Sequence, residues 1–199
     1  MTLDNEKVAG LLLFFGTLQG IFVVLILALV EPGYSFSTNF ISDLGDLSAS
    51  NALIFNLSTI IWGLGILIAG FLLYRASATE SIFPNRLFAI LIVLCGICTI
   101  GVGLAPINSS PSIYPLPLHV IFGDILAGLR VIAMFVSFKI MNPPLSYIQI
   151  ILGVMAFVLT FLFLTAIDFG LGVGGIQRVS RVVLYAWLFI ISTHLMNKS

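Results

Sequence analysis

LHVIFGDILAGLRVIAMFVSF, residues 118–138, is the stretch whose reading decides the fold. A helix needs ~20 mostly apolar residues to cross a bilayer. This stretch has that length, yet it carries His119, Asp124 and Arg130. An ionisable group placed in hydrocarbon costs ~2.5–3.5 kcal/mol on insertion scales. Each of the three is therefore expected to face protein or water. The turn of an α-helix puts His119 and Arg130 on one side, within ~20° of each other and ~16 Å apart along the axis. Asp124 is turned ~120–140° away from both. The helix cannot neutralise its own charges, so Asp124 and Arg130 must address different neighbours.

Five further, less polar stretches are long enough to cross a bilayer: Val8–Val30, Ala52–Tyr74, Leu87–Ala105, Ile148–Ile167 and Val179–Met196. Glu31-Pro32-Gly33 stops the first, and prolines and glycines punctuate most of the other breaks. Asn51 is a candidate N-cap for the second helix. The first apolar run is longer than the 7–15 residues of a signal-peptide core, and is expected to be a retained helix. Composition agrees: 60% of residues are hydrophobic and 8% charged, where soluble domains hold ~25% charged residues. The expectation is an all-α polytopic membrane protein, residues 1–199 forming one six-helix transmembrane domain. Eight basic and eight acidic residues balance to zero net charge, with no basic run. That argues against nucleic acid as a partner.

Orientation follows the distribution of Lys and Arg. Lys7, Arg75, Arg86, Lys139 and Lys198 fall on one side of a six-helix path, while the connections 31–51 and 106–117 contain neither residue. Both termini are expected in the cytoplasm of a cell-membrane protein. Arg178 and Arg181 are the exceptions on the outer side, and are expected to be held there by partners. The sequon at Asn108 lies in an outer loop.

The outer side also collects Asp43, His119 and Asp168. Asp43 and His119 are the catalytic candidates, a carboxylate and an imidazole being able to share a proton near neutral pH. Asn56, Asp124, Arg130, Asp168 and Arg178 are the candidate binding residues. His119 is expected within ~6 Å of Asp43 or Asp168, the range over which an opposite charge acts on a titrating group, and Arg178 is expected to form a salt bridge to one of those acids. The glycine-rich run 168–181, DFGLGVGGIQRVSR, reads as a turn ahead of the last helix. It fits neither GxGxxG nor GxxxxGK[ST]. Cys95 and Cys98 form a CGIC run in an apolar helix, where cysteine most often serves as a small filler. Two histidines at opposite faces give no metal set, and no cofactor is expected.

Several short runs carry a family resemblance: FISDLG at 40–45, IFNLSTIIWGLG at 54–65, GVGLAP at 101–106, HVIFGDILAG at 119–128, and GGIQRV at 174–179 before a helix with Trp187. Together they resemble the prokaryotic membrane family called domain of unknown function 998, and more faintly the Frag/DRAM/Sfk family. The resemblance implies a six-helix fold with Asp43, Asn56, His119 and Arg178 as motif positions, and carries no activity with it. Where family members often show Phe-Pro-Glu after the third helix, this chain has Ala105-Pro106-Ile107-Asn108. The reading that results is an integral membrane protein with an outward-facing polar pocket that binds or modifies a lipid head group or small anion, with membrane lipids as partners. Two alternatives stand beside it: a non-catalytic subunit held among other membrane subunits, and a small transporter with Asp124 and Arg130 on its path.

Overall fold

The computed structural model describes residues 4–77, 83–107, 112–113 and 116–198; Asn108 and its sequon lie outside the described residues. Among the described residues, six helices are long and apolar enough to cross a membrane. They are α1 (Asn5–Val30), α2 (Ala52–Ala76), α3 (Phe83–Leu104), α4 (Leu118–Ser137), α5 (Leu145–Leu164) and α6 (Val173–Asn197). A short 3-10 helix, Ile41–Gly45, interrupts the first connection, and Ser112–Ile113 pairs antiparallel with Leu116–Pro117 just before α4. Asp4 caps α1 by accepting from the Glu6 amide. Asn51 stands at the N-cap of α2 without a side-chain cap bond.

Each helix touches the next in sequence, and α6 returns to α1, so the six close into a ring. One end of the ring holds both chain termini and the 138–144 connection. The other, the loop end, holds the 31–51, 105–117 and 165–172 connections. Lipid tails are as apolar as leucine, so close van der Waals contact takes the place of water exclusion in driving such helices together. Glycine makes that contact possible between α2 and α3. A Cβ on Gly63 would stand 2.7 Å from the backbone nitrogen of Ile100, and one on Gly96 would stand 2.5 Å from that of Leu67.

The termini half of the ring is filled. Phe88, Met134, Trp187 and Ile191 are all at most 2% exposed. A buried polar knot lies among them. The Ser137 oxygen, 2.6 Å from the Met134 carbonyl and 3.1 Å from Gln149 Oε1, accepts from Trp187 Nε1 at 3.3 Å. The loop half is not filled, and encloses a cavity of about 430 Å³.

The last helix departs from the sequence-based expectation. It begins at Val173, not Val179, so most of the glycine-rich run is helical and Gln177, Arg178 and Arg181 all belong to α6. The non-helical remainder is short and tight: Ala166 and Phe169 have positive φ, as do Gly170 and Gly172. Gly172 suits the helix start because its φ of +75° is one that a side chain resists.

Candidate functional site

The first connection folds down over the loop end. Ile41 and Leu44 are buried against Leu27, Ala28 and Phe55. Hydrogen bonds from α6 tie the connection in place: Gln177 Oε1 accepts from the Ile41 amide at 2.6 Å, the Gly175 amide donates to the Ser37 carbonyl at 3.2 Å, and Arg178 Nη1 donates to the Asn39 carbonyl at 2.8 Å. Arg178 makes the strongest of these attachments. It also donates to the Gly174 carbonyl and the Tyr34 hydroxyl, and its guanidinium lies 5.3 Å and 5.0 Å from the ring centres of Tyr34 and Phe36. Burial pushes the Tyr34 phenol above its ordinary range, so at neutral pH it stays a donor, to the Phe40 carbonyl at 2.9 Å.

Several residues singled out in the sequence serve this loop. Asp43 Oδ2 accepts from the Phe40 amide at 2.9 Å and from Asn39 Nδ2 at 3.1 Å, closing the start of the 3-10 helix. Asn56 Nδ2 donates to the Gly45 carbonyl at 2.9 Å, pinning the loop to α2. Asp168 Oδ1 accepts from the Gly170 amide at 2.9 Å, forming the turn before α6. The expected salt bridge from Arg178 to Asp43 or Asp168 does not form. Among the described residues the single ion pair is Lys198 with Glu6, at 2.7 Å near the termini. A guanidinium between two rings and two carbonyls is satisfied without a carboxylate, and each acid gives one oxygen to a backbone amide. Asp43, Asn56, Asp168 and Arg178 do not line the cavity. Asp43, Asn56 and Arg178 fasten the first connection, and Asp168 the turn before α6.

The cavity lies beneath that loop and gathers a different set. His119, Asp124 and Arg130 line it from α4. His119 Nδ1 donates to the Ala105 carbonyl at 2.7 Å, since a carbonyl can only accept, and this leaves Nε2 as the free ring nitrogen. Gln177, Ser180, Arg181, Leu184 and Tyr185 line it from α6. Arg181 was legible only as an outer positive charge, and Gln177, Ser180 and Tyr185 were not singled out at all. Their spacing of three and four residues is that of one helix face. Gln177 joins that face once α6 is known to start at Val173.

The polar lining divides into groups that are paired and groups that are not. Thr59 and Thr99 donate to the carbonyls of Phe55 and Cys95, and Gln19 donates to Ser58. Gln19 Oε1, the acceptor of that amide, has no hydrogen-bond partner among the described residues. Arg130 and Arg181 have no hydrogen bond and no ion pair among the described residues, and they lie within electrostatic range of one another. Val24, Leu126, Met134 and Leu184 supply apolar wall. Cys95 and Cys98 are free, buried thiols outside the lining. Among the described residues no three His, Cys, Asp or Glu side chains gather as a metal site.

A family model described as "Protein of unknown function (DUF998)" matches residues 14–194. No curated protein and no solved structure matches the chain.

Proposed function

The chain belongs to that family of unknown function, and we propose that it holds the anionic head group of an amphiphile, or a small anion, inside the membrane, with Arg130 and Arg181 as the anchors. One observation carries this reading: two arginines from different helices face a single cavity without a partner among the described residues. Like charges at such range repel, and more strongly away from bulk water. Two bare guanidiniums on one intramembrane cavity are stable only when an anion or water fills it. A planar guanidinium fork matches phosphate or carboxylate oxygens two at a time. The apolar walls suit the body of the same molecule, as in most small-molecule sites.

Supporting roles follow from position. His119 Nε2 and the hydroxyls of Thr160, Ser180 and Tyr185 are the further polar groups that a head group would meet. The filled termini half below Met134 and Leu184 supports a closed-ended binding cavity over a path across the bilayer. With the Lys- and Arg-free loops taken as outer, the cavity belongs to the outer half of the cell membrane.

Thermal unfolding in detergent with short-chain phosphatidic acid tests the proposal. The lipid is expected to raise the melting temperature of the wild type. Arg130→Gln and Arg181→Gln should each weaken the apparent affinity at least fivefold, while Arg75→Gln, an exposed position at the far end, leaves it unchanged. An equal response from all four proteins would sink the anion site.

A further inference from the structure

We infer that the ligand is a membrane lipid that reaches the cavity sideways, through a gap between the loop-end halves of α4 and α5, its acyl chain remaining in that gap. The inference rests on the anion reading above and adds the source of the anion. The cavity's top is roofed: Phe40, Ile41 and Ser42 of the first connection line it from above, and the hydrogen bonds of Gln177, Gly175 and Arg178 fasten that connection to α6. The Phe40 ring also meets Phe163 of α5, with centroids 5.8 Å apart. Its floor is the filled core around Trp187.

The mouth must then be at the side, and burial places it. Among the described lining residues, only Asp124 and Leu164 are exposed. One lies in the loop-end half of α4, the other at the loop end of α5, and these helices are neighbours in the ring. Their named contacts sit toward the other end, where Ser137 meets Gln149 and the Phe135 ring covers Gly153. No hydrogen bond or ring contact joins the two helices toward the loop end among the described residues. A Cβ on Gly123 or Gly128 would meet nothing within 4 Å. Apolar surface flanks the opening, with Ile125 50%, Phe161 55% and Leu164 60% exposed. In a membrane such surface faces acyl chains, so the mouth opens on lipid. A soluble anion would have to pass the roof; a lipid need only slide in laterally.

Trp62, one of two tryptophans, lines the cavity and reports on an acyl chain inside it. The full chain carrying Trp187→Phe is placed in phosphatidylcholine nanodiscs doped with phosphatidic acid or phosphatidylcholine brominated on the acyl chain. Brominated phosphatidic acid is expected to quench Trp62 at least twofold more than brominated phosphatidylcholine. Gly123→Phe, or Gly128→Phe should the first not fold, is expected to abolish the excess by plugging the gap. Excess quenching that persists in a folded plugged variant overturns lateral access. So does an absence of excess in the wild type, with glycerol 3-phosphate raising the melting temperature as much as phosphatidic acid does; the anion site then stands and its ligand is soluble. Excess quenching that survives Arg130→Gln with Arg181→Gln overturns the anion reading instead, so the two failures are distinguishable.

Discussion

Arg178 and Arg181 lie less than one turn apart in α6 and serve different ends. Arg178 turns toward the first connection, where two carbonyls, a phenol and two aromatic faces leave it nothing to seek. Arg181, rotated about 60° around the helix, faces the cavity and has no partner among the described residues. Removing the first should therefore cost stability and removing the second should cost binding. Arg178→Ala deletes charge-assisted hydrogen bonds whose loss leaves half-buried acceptors unpaired, a penalty of about 2–4 kcal/mol. The expected outcome is a lower melting temperature in detergent together with faster proteolysis between residues 34 and 46. Arg178→Lys should recover only part, because a single ammonium cannot reach carbonyl and phenol in the planar arrangement of a guanidinium. Unchanged proteolysis in Arg178→Ala would show that the loop is held by something else.

Among the helices, the α2 and α3 pair is the rigid side of the ring and the α4 and α5 pair the open one. Gly63 and Gly96 let the first two backbones come together, each against the other helix's main chain rather than against a flexible side-chain end. A side chain at Gly96 must push α3 off α2, and overpacking of this kind costs about 1–3 kcal/mol or more. Gly96→Val should lower the melting temperature by an amount readable in any detergent that keeps the wild type folded. Gly128→Ala, where a Cβ meets open space, should be neutral or slightly stabilising, because alanine is the better helix former. Comparable losses at both positions would mean that close approach to α2 does not explain Gly96. On the open side, Asp124 can stay exposed because it sits at the mouth of the cavity instead of against another helix.

For the molecule as a whole, the loop end and the termini end differ in charge, and that difference sets the proposed orientation. Glu31, Asp43 and Asp46 lie in the 31–51 connection with no Lys or Arg, while Lys139 and Lys198 sit at the other end. Ser48 is exposed in that first connection. The native thiols Cys95 and Cys98 are buried, so an introduced cysteine can be labelled selectively. Ser48→Cys in intact cells should react with a membrane-impermeant maleimide, and Lys139→Cys only after permeabilisation. The opposite pattern would invert the orientation and place the cavity in the cytoplasmic half.

The amino-acid sequence by itself determined the solvent, the number of helices and the all-α class, because these depend on the length and polarity of single segments. It also marked His119, Asp124 and Arg130 as costly in lipid, since insertion cost is local to each side chain, and all three line the cavity. It could not tell Arg178 from Arg181. That distinction depends on where α6 begins, and six residues of glycine-rich chain read as turn until Gly172 and Gly174 are seen packed closely against the backbone of Ser37 and Asn39. Nor could it separate Asp43, Asn56 and Asp168 from a binding site, because an acid or amide used for capping looks the same in sequence as one awaiting a ligand. Only the tertiary structure decided which polar groups were already spent on backbone partners and which were left facing an empty space. Pairing is a relation between residues far apart in the chain: Arg178 and Tyr34, Gln177 and Ile41, Asn56 and Gly45. No pattern of local spacing encodes it.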